Sequence, residues 1–215
     1  MMNNIDTTNM ITVEEADILQ EIMNIAFGRA ASDLAECIDI FVILSTPNIK
    51  LVRVHDLPAH LSHEIKESEN VSVVQQNFWG KFKGNAFLVF PAGSGQKIIS
   101  LFAVGDESLE SDINHELVKE TFLEVGNILI GACVGKIAEL LGDVATYSPP
   151  HVVVEESIRG VVYDNLLDPE NLAIILKTVF EFNEKNISGY MFIITKQESF
   201  AWLKSALAKF VDQFE

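Results

Sequence analysis

Polar and apolar positions along the chain follow two periods, and the switches between them mark the elements. Residues 13–37 and about 114–141 carry apolar positions at helical spacing, and each leads into a β-rich stretch. In the first half IDIFVIL, IKLVRV, VSVVQQNFW and NAFLVF predict strands, and the segment after Ser94 predicts a helix. In the second half HVVVEE, RGVVYD, AIILKTVFEF and YMFIIT predict strands, with EKNIS as a hairpin turn and a closing helix from about Gln197 to Phe214. Each half therefore reads helix, several mostly antiparallel strands, helix. That order predicts an α/β (α+β) protein with an antiparallel-rich sheet and pseudo-two-fold symmetry, not a Rossmann-type alternation.

The halves also match residue by residue. At a constant shift of 103, Asp17 meets Glu120, Glu21 meets Glu124, Asn24 meets Asn127, Gly28 meets Gly131 and Pro47 meets Pro150. One register holds across thirty-one positions without a gap. Duplication explains this better than chance, and it predicts a single domain, 1–215, built of repeats at about 11–105 and 114–215.

At about 100° per residue, positions i, i+4, i+7 and i+11 fall within roughly 60° of one another. Asp17, Glu21, Asn24 and Gly28 form one stripe, and Glu120, Glu124, Asn127 and Gly131 another. Opposite the first lie Leu19, Ile22, Met23, Ala26 and Ala30; opposite the second lie Phe122, Val125, Gly126, Leu129 and Cys133. A solvated face of an amphipathic helix is the competing account of such a stripe. Against it stands local cost. Asn inside a helix costs roughly 0.5 kcal/mol relative to Ala and Gly about 1 kcal/mol, and both recur in register. Glycine one turn beyond the Asn leaves the helix bare, so that another molecule can approach. Matched local cost points to a pair of working sites.

Composition narrows the partner. The 215 residues suffice for a sizeable core, and the net charge of −16, from 31 acidic and 15 basic residues, repels phosphate backbones and anionic lipid. Nucleic acid and membrane are therefore not the expected partners, whereas a protein presenting lysines or arginines is compatible. The sequence shows no apolar run approaching the eighteen or so residues of a membrane span. The start, MMNNIDTTNM, lacks the basic and apolar segments of a secretory signal. Cys37 and Cys133 belong to no CxxC or Cys/His cluster; they predict two buried thiols in a reducing cytoplasm, not a disulfide or zinc site.

A Glu and an Asn one turn apart suit a narrow chemistry. The Asn carboxamide can accept a hydrogen bond from water at one end and donate at the other, which orients a nucleophilic water for in-line attack on phosphorus. The Glu can act as a general base or anchor a partner's lysine. The pair supplies neither a covalent nucleophile nor a convincing Mg²⁺ site.

The spacing [Asp/Ser]-x3-Glu-x2-Asn-x22-Pro resembles the signature of the CheC family of chemotaxis phosphatases, related to CheX and FliY. Asp17, Glu21, Asn24 and Pro47 match it fully, and Glu124, Asn127 and Pro150 match in the second copy, where Glu120 replaces the usual Asp or Ser. The resemblance implies a fold with the two motif helices side by side on one face of the sheet. It implies hydrolysis of the aspartyl phosphate of a CheY-type response regulator, with Mg²⁺ supplied by that regulator and no metal or cofactor of the chain's own. Asn24 and Asn127 would position the water, and Glu21 and Glu124 would pair with the regulator's lysine. Asp17, Gly28, Pro47, Glu120, Gly131 and Pro150 would support docking. CheD, a receptor deamidase, is a further partner the resemblance allows. Two motifs in one chain resemble CheC more than the one-site CheX, and with no domain after residue 215 the long flagellar-switch forms are disfavoured. The alternative is a non-catalytic interaction module, flagellar-switch-like or CheD-binding, on the same fold.

Other signals carry less. PAGSGQK, residues 91–97, lacks the phosphate-loop spacing and predicts a turn into a helix capped near Ser94. His60 and His63, near a Pro58 turn, lack companion ligands and predict surface histidines. Phe78, Trp79 and Phe82 predict strand core or partner contact, and Trp202 packing on the sheet.

Overall fold

A computed structural model describes residues 11–38, 41–56, 59–60, 63, 70–102, 115–157, 172–182, 187–196 and 199–212. Four helices of eight or more residues appear among them: α1 (Val13–Ile38), α2 (Ser94–Phe102), α3 (His115–Leu140) and α4 (Phe200–Val211). The strands are β1 (Val42–Leu44), β2 (Asn48–Arg53), β3 (Asn70–Trp79), β4 (Gly84–Pro91), β5 (Thr146–Tyr147), β6 (His151–Ser157), β7 (Leu172–Phe182) and β8 (Ile187–Lys196). RGVVYD, the Pro58 turn and residues 184–186 of EKNIS lie outside the described residues; Ile187 and Ser188 already belong to β8.

The first strand is shorter than IDIFVIL predicts. Helix α1 runs on through Ile38, and β1 spans only Val42–Leu44, an edge strand paired to the end of β7. Helix α1 starts with a reciprocal cap. The Thr12 N–H donates to Glu15 Oε2 at 2.8 Å, and the Glu15 N–H donates to Thr12 Oγ1 at 3.1 Å. Such a box satisfies two orphan donors and stabilises the helix start by about 1 kcal/mol.

Among the described residues one eight-stranded sheet runs β1-β7-β8-β4-β3-β5, with β2 also on β7 and β6 also on β3, and every pairing is antiparallel. The order reads the same from either edge. At its centre β4 pairs with β8, and Phe87 stands directly opposite Phe192. The edge strands are exchanged: β1 and β2 from the first half complete the β7–β8 hairpin of the second. Likewise β5 and β6 of the second half complete the β3–β4 hairpin of the first. Neither half of the sequence holds a whole sheet of its own.

Alternation along the strands separates two apolar layers. Ala86, Leu88 and Phe90 of β4, Met191 and Ile193 of β8 and Ile174, Leu176 and Phe180 of β7 join the helices in the main core. Phe87, Val89, Phe192, Ile194, Ala173 and Ile175 form a second cluster on the other face, to which no described helix contributes. Thus α1 and α3 lie on one face, packed against each other. By length and mean hydropathy α3 is long and apolar enough to cross a membrane, contrary to the expectation from the sequence; half of that window is buried in the fold. Its packing on β3, β4 and β6 accounts for the apolar composition.

Two aromatic expectations resolve differently. Phe78 and Phe82 are buried with ring centroids 5.1 Å apart, whereas Trp79 is 48% exposed. Trp202 is half-buried against the main core, and with Arg29 and Leu140 it lines a cleft between α1, α4 and the end of α3. Ser94 starts α2 as predicted, but its hydroxyl donates back to the Pro91 carbonyl at 2.8 Å. The turn is made by Gly93 at φ 76°. His63 is exposed and His60 half-buried.

Candidate functional site

The two stripes sit on the outward sides of α1 and α3 because the opposite sides are committed to the core. Leu19, Ile22, Met23, Ala26 and Ala30 are fully buried, and so are Phe122, Val125, Leu129 and Cys133 to within 2%. Asp17, Glu21 and Gly28 of α1 are exposed, with Asn24 half-buried; Glu120, Glu124 and Asn127 of α3 are exposed, with Gly131 half-buried. Burial pushes the Cys133 thiol up to about 12 and makes it inert, and it is a free thiol. The Cys37 side chain lies outside the described residues.

The stripe glycines differ from the packing glycines. A Cβ on Gly28 or Gly131 would meet nothing within 4 Å, so internal packing demands neither. A Cβ on Gly126 would lie 2.3 Å from Val74 Cγ1, so α3 needs a glycine there to press against β3. The clearance at Gly28 and Gly131 faces outward.

Pro47 and Pro150 do not join the exposed stripes. Each stands just before a strand, β2 or β6, where a missing N–H is tolerated. Pro47 is buried and Pro150 half-buried. Two residues earlier, Ser45 and Ser148 dock on the sheet in matching ways. The Ser45 N–H donates to the Val179 carbonyl at 2.9 Å, and the Ser148 N–H donates to the Asn77 carbonyl at 3.0 Å. The Thr178 hydroxyl donates to the Ser45 carbonyl, and Gln76 Nε2 donates to the Ser148 carbonyl at 2.9 Å. Thr178 and Gln76 are therefore equivalent positions on β7 and β3.

Gln76 does more than its counterpart. Its Nε2 also donates to Asn127 Oδ1, at 3.3 Å. The residue is 2% exposed, and among the described residues its Oε1 is buried with no protein partner. The signal in the sequence was the adjacent Gln75-Gln76 pair interrupting an apolar strand. Among the described residues Asn24 has no hydrogen-bond partner of this kind.

Further support for α3 comes from Tyr147, whose hydroxyl donates to the Gly131 carbonyl at 3.3 Å. Burial, and secondarily the Cys133 thiol, raise this phenol to about 12. Between the helices, Lys136 Nζ lies 2.9 Å from Asp33 Oδ2 and 3.4 Å from Glu139 Oε2. The Asp33 hydrogen bond, followed by that of Glu139, raises the Lys136 ammonium above its usual range. Among the described residues no group of three or more His, Cys, Asp or Glu side chains is placed to hold a metal ion. The arrangement offers two Glu/Asn pairs, each with its Glu exposed and each beside bare helix, on one side of the molecule.

The chain is similar in sequence and in fold to known proteins. Residues 14–51, which span the first stripe and Pro47, match the CheC-like family. The chain is 23% identical over 205 residues to the CheY-P phosphatase CheC of Bacillus subtilis (strain 168), covering 93% of this chain and 96% of the relative. Its fold is similar to that of Thermotoga maritima FliY, with a TM-score of 0.66, 21% identity and coverage of 93% and 98% of the two chains. It is also similar to the FliM middle domain from Vibrio alginolyticus, with a TM-score of 0.57, 11% identity and coverage of 87% and 99%. Residues 14–51 are thus similar to the CheC-like family, the chain is similar to a CheC protein over most of its length, and its fold is shared with FliY and the FliM middle domain.

Proposed function

We propose that the chain is a phosphatase that stimulates hydrolysis of the aspartyl phosphate of a CheY-type response regulator. The observation that carries the reading is the recurrence, on two adjacent helices, of an exposed Glu, an Asn one turn on and a glycine whose missing Cβ faces open space. The relative from Bacillus subtilis supports the same chemistry at the family level.

In this reading Asn24 and Asn127 each hold the attacking water in line with phosphorus, accepting at Oδ1 and donating from Nδ2. Glu21 and Glu124 pair with a lysine of the regulator and fix its approach. Gly28 and Gly131 give the backbone clearance, and Asp17 and Glu120 flank the docked protein. Mg²⁺ comes with the regulator. The strongly acidic chain suits a partner that offers a lysine, disfavours nucleic acid and anionic membrane, and fits a cytoplasmic site of action. CheD remains a second protein partner in this proposal.

The FliM-like fold favours one competing reading, a non-catalytic interaction module. The two separate cleanly. Inorganic phosphate release from phosphorylated CheY-type regulators is measured with and without the chain. Stimulated release supports the phosphatase; binding of the regulator with no stimulation of release overturns it in favour of the module.

A further inference from the structure

We propose that Gln76 is a positioning residue for Asn127, and that the two sites are consequently built unequally. This inference rests on the phosphatase reading for its catalytic meaning, though not for its geometry. Backbone chemistry settles the polarity. Only an N–H can face the Ser148 carbonyl at 2.9 Å, so the nitrogen end of the Gln76 amide is fixed there. The second hydrogen on that nitrogen is left for Asn127, and it meets an acceptor only if Oδ1 faces inward. Asn127 therefore presents Nδ2 outward, with one lone pair of Oδ1 still free. Two amide orientations are set by one backbone carbonyl.

A second difference between the halves works with the first. The position of Gly126 on α3 is that of Met23 on α1, at the same shift of 103. Gly126 lets α3 close onto Val74, two residues before Gln76, whereas Met23 is a fully buried side chain beneath α1. On the strands the sizes are reversed: Gln76 on β3 corresponds to Thr178 on β7, which reaches the Ser45 carbonyl. Small on the helix with long and polar on the strand makes a tether. Large on the helix with short on the strand makes none. Asn127 is held before the partner arrives, whereas among the described residues Asn24 has no such tether.

The test uses the whole chain with Gln76→Met, which keeps the volume and removes both donated bonds, and Gln76→Thr as a second variant. The first readout is ¹⁵N relaxation of the side-chain amides of Asn24 and Asn127, each assigned by its loss in the Asn→Ala variant. Asn127 is expected to be the more ordered of the two, and to become as mobile as Asn24 in both Gln76 variants. Equal mobility in the wild type, or no change on substitution, overturns the tether. The second readout is regulator dephosphorylation with one site left. With only the second site, in an Asn24→Ala background, Gln76→Met is expected to lower kcat about three- to tenfold with KM unchanged. With only the first site, in an Asn127→Ala background, it adds no further loss. Equal losses in both backgrounds overturn positioning in favour of a general structural role. If the wild type stimulates no hydrolysis, the phosphatase reading and the catalytic use of the tether both fall, while the relaxation readout still decides the tether itself.

Discussion

Asp33 and Lys136 occupy the same position in the two copies, 103 residues apart, and they meet at 2.9 Å between α1 and α3. An exact two-fold would place identical side chains against each other there. The duplicated chain instead carries opposite charges. Asp33→Lys should put two cations at this contact and lower the urea midpoint, and the loss should shrink in high salt. The exchanged pair, Asp33→Lys with Lys136→Asp, should recover most of the midpoint. A double variant no better than the single would show that the charges do not act as a pair.

Replacing the stripe glycines should separate stability from function. Gly28→Ala and Gly131→Ala meet no neighbour within 4 Å and should each stabilise the protein by about 1 kcal/mol in chemical denaturation. The same variants should raise KM for the phosphorylated regulator. Gly84→Ala is the contrast, since its Cβ would fall 2.1 Å from the Ile194 carbonyl and should destabilise by about 2 kcal/mol or more. Stabilised Gly28 and Gly131 variants with unaltered KM would remove the clearance argument.

Cys133 and Tyr147 predict an alkaline limit. Both are raised to about 12 in the fold, Cys133 from 9.0 and Tyr147 from 10.0, mainly by burial. A raised acid binds its proton more tightly when folded. Its contribution is complete below the unfolded value and is lost as pH rises towards the folded one. The urea midpoint should therefore hold near pH 8 and fall between about pH 9 and 12. Tyr147→Phe should blunt the part of that fall above pH 10. A flat midpoint to pH 11 would contradict the burial of both groups.

Much of this architecture is legible in the sequence, and particular residues show why. Leu19, Ile22, Met23, Ala26 and Ala30 are legible as one face because α1 packs on a single side, so the helical period survives intact. The stripe opposite follows from the same period, and the repeat makes it conspicuous. The exchange of β1, β2, β5 and β6 between halves is not legible, since a residue shift records equivalence and not which copy of a strand completes which sheet. Gln76 was hidden for a related reason. Its partner Asn127 is 51 residues away, and a buried glutamine in a strand gives no local sign of what it touches. Helix α3 misled in the other direction, because the apolar surface that packs it on three strands is interrupted by the polar stripe when read along the chain.

The most direct test follows the aspartyl phosphate of a CheY-type regulator with the wild-type chain, Asn24→Ala, Asn127→Ala and the double variant. Stimulated hydrolysis is expected from the wild type, with partial loss in each single variant and loss of nearly all stimulation in the double. Full stimulation by the double variant would contradict the role given to the two Asn side chains.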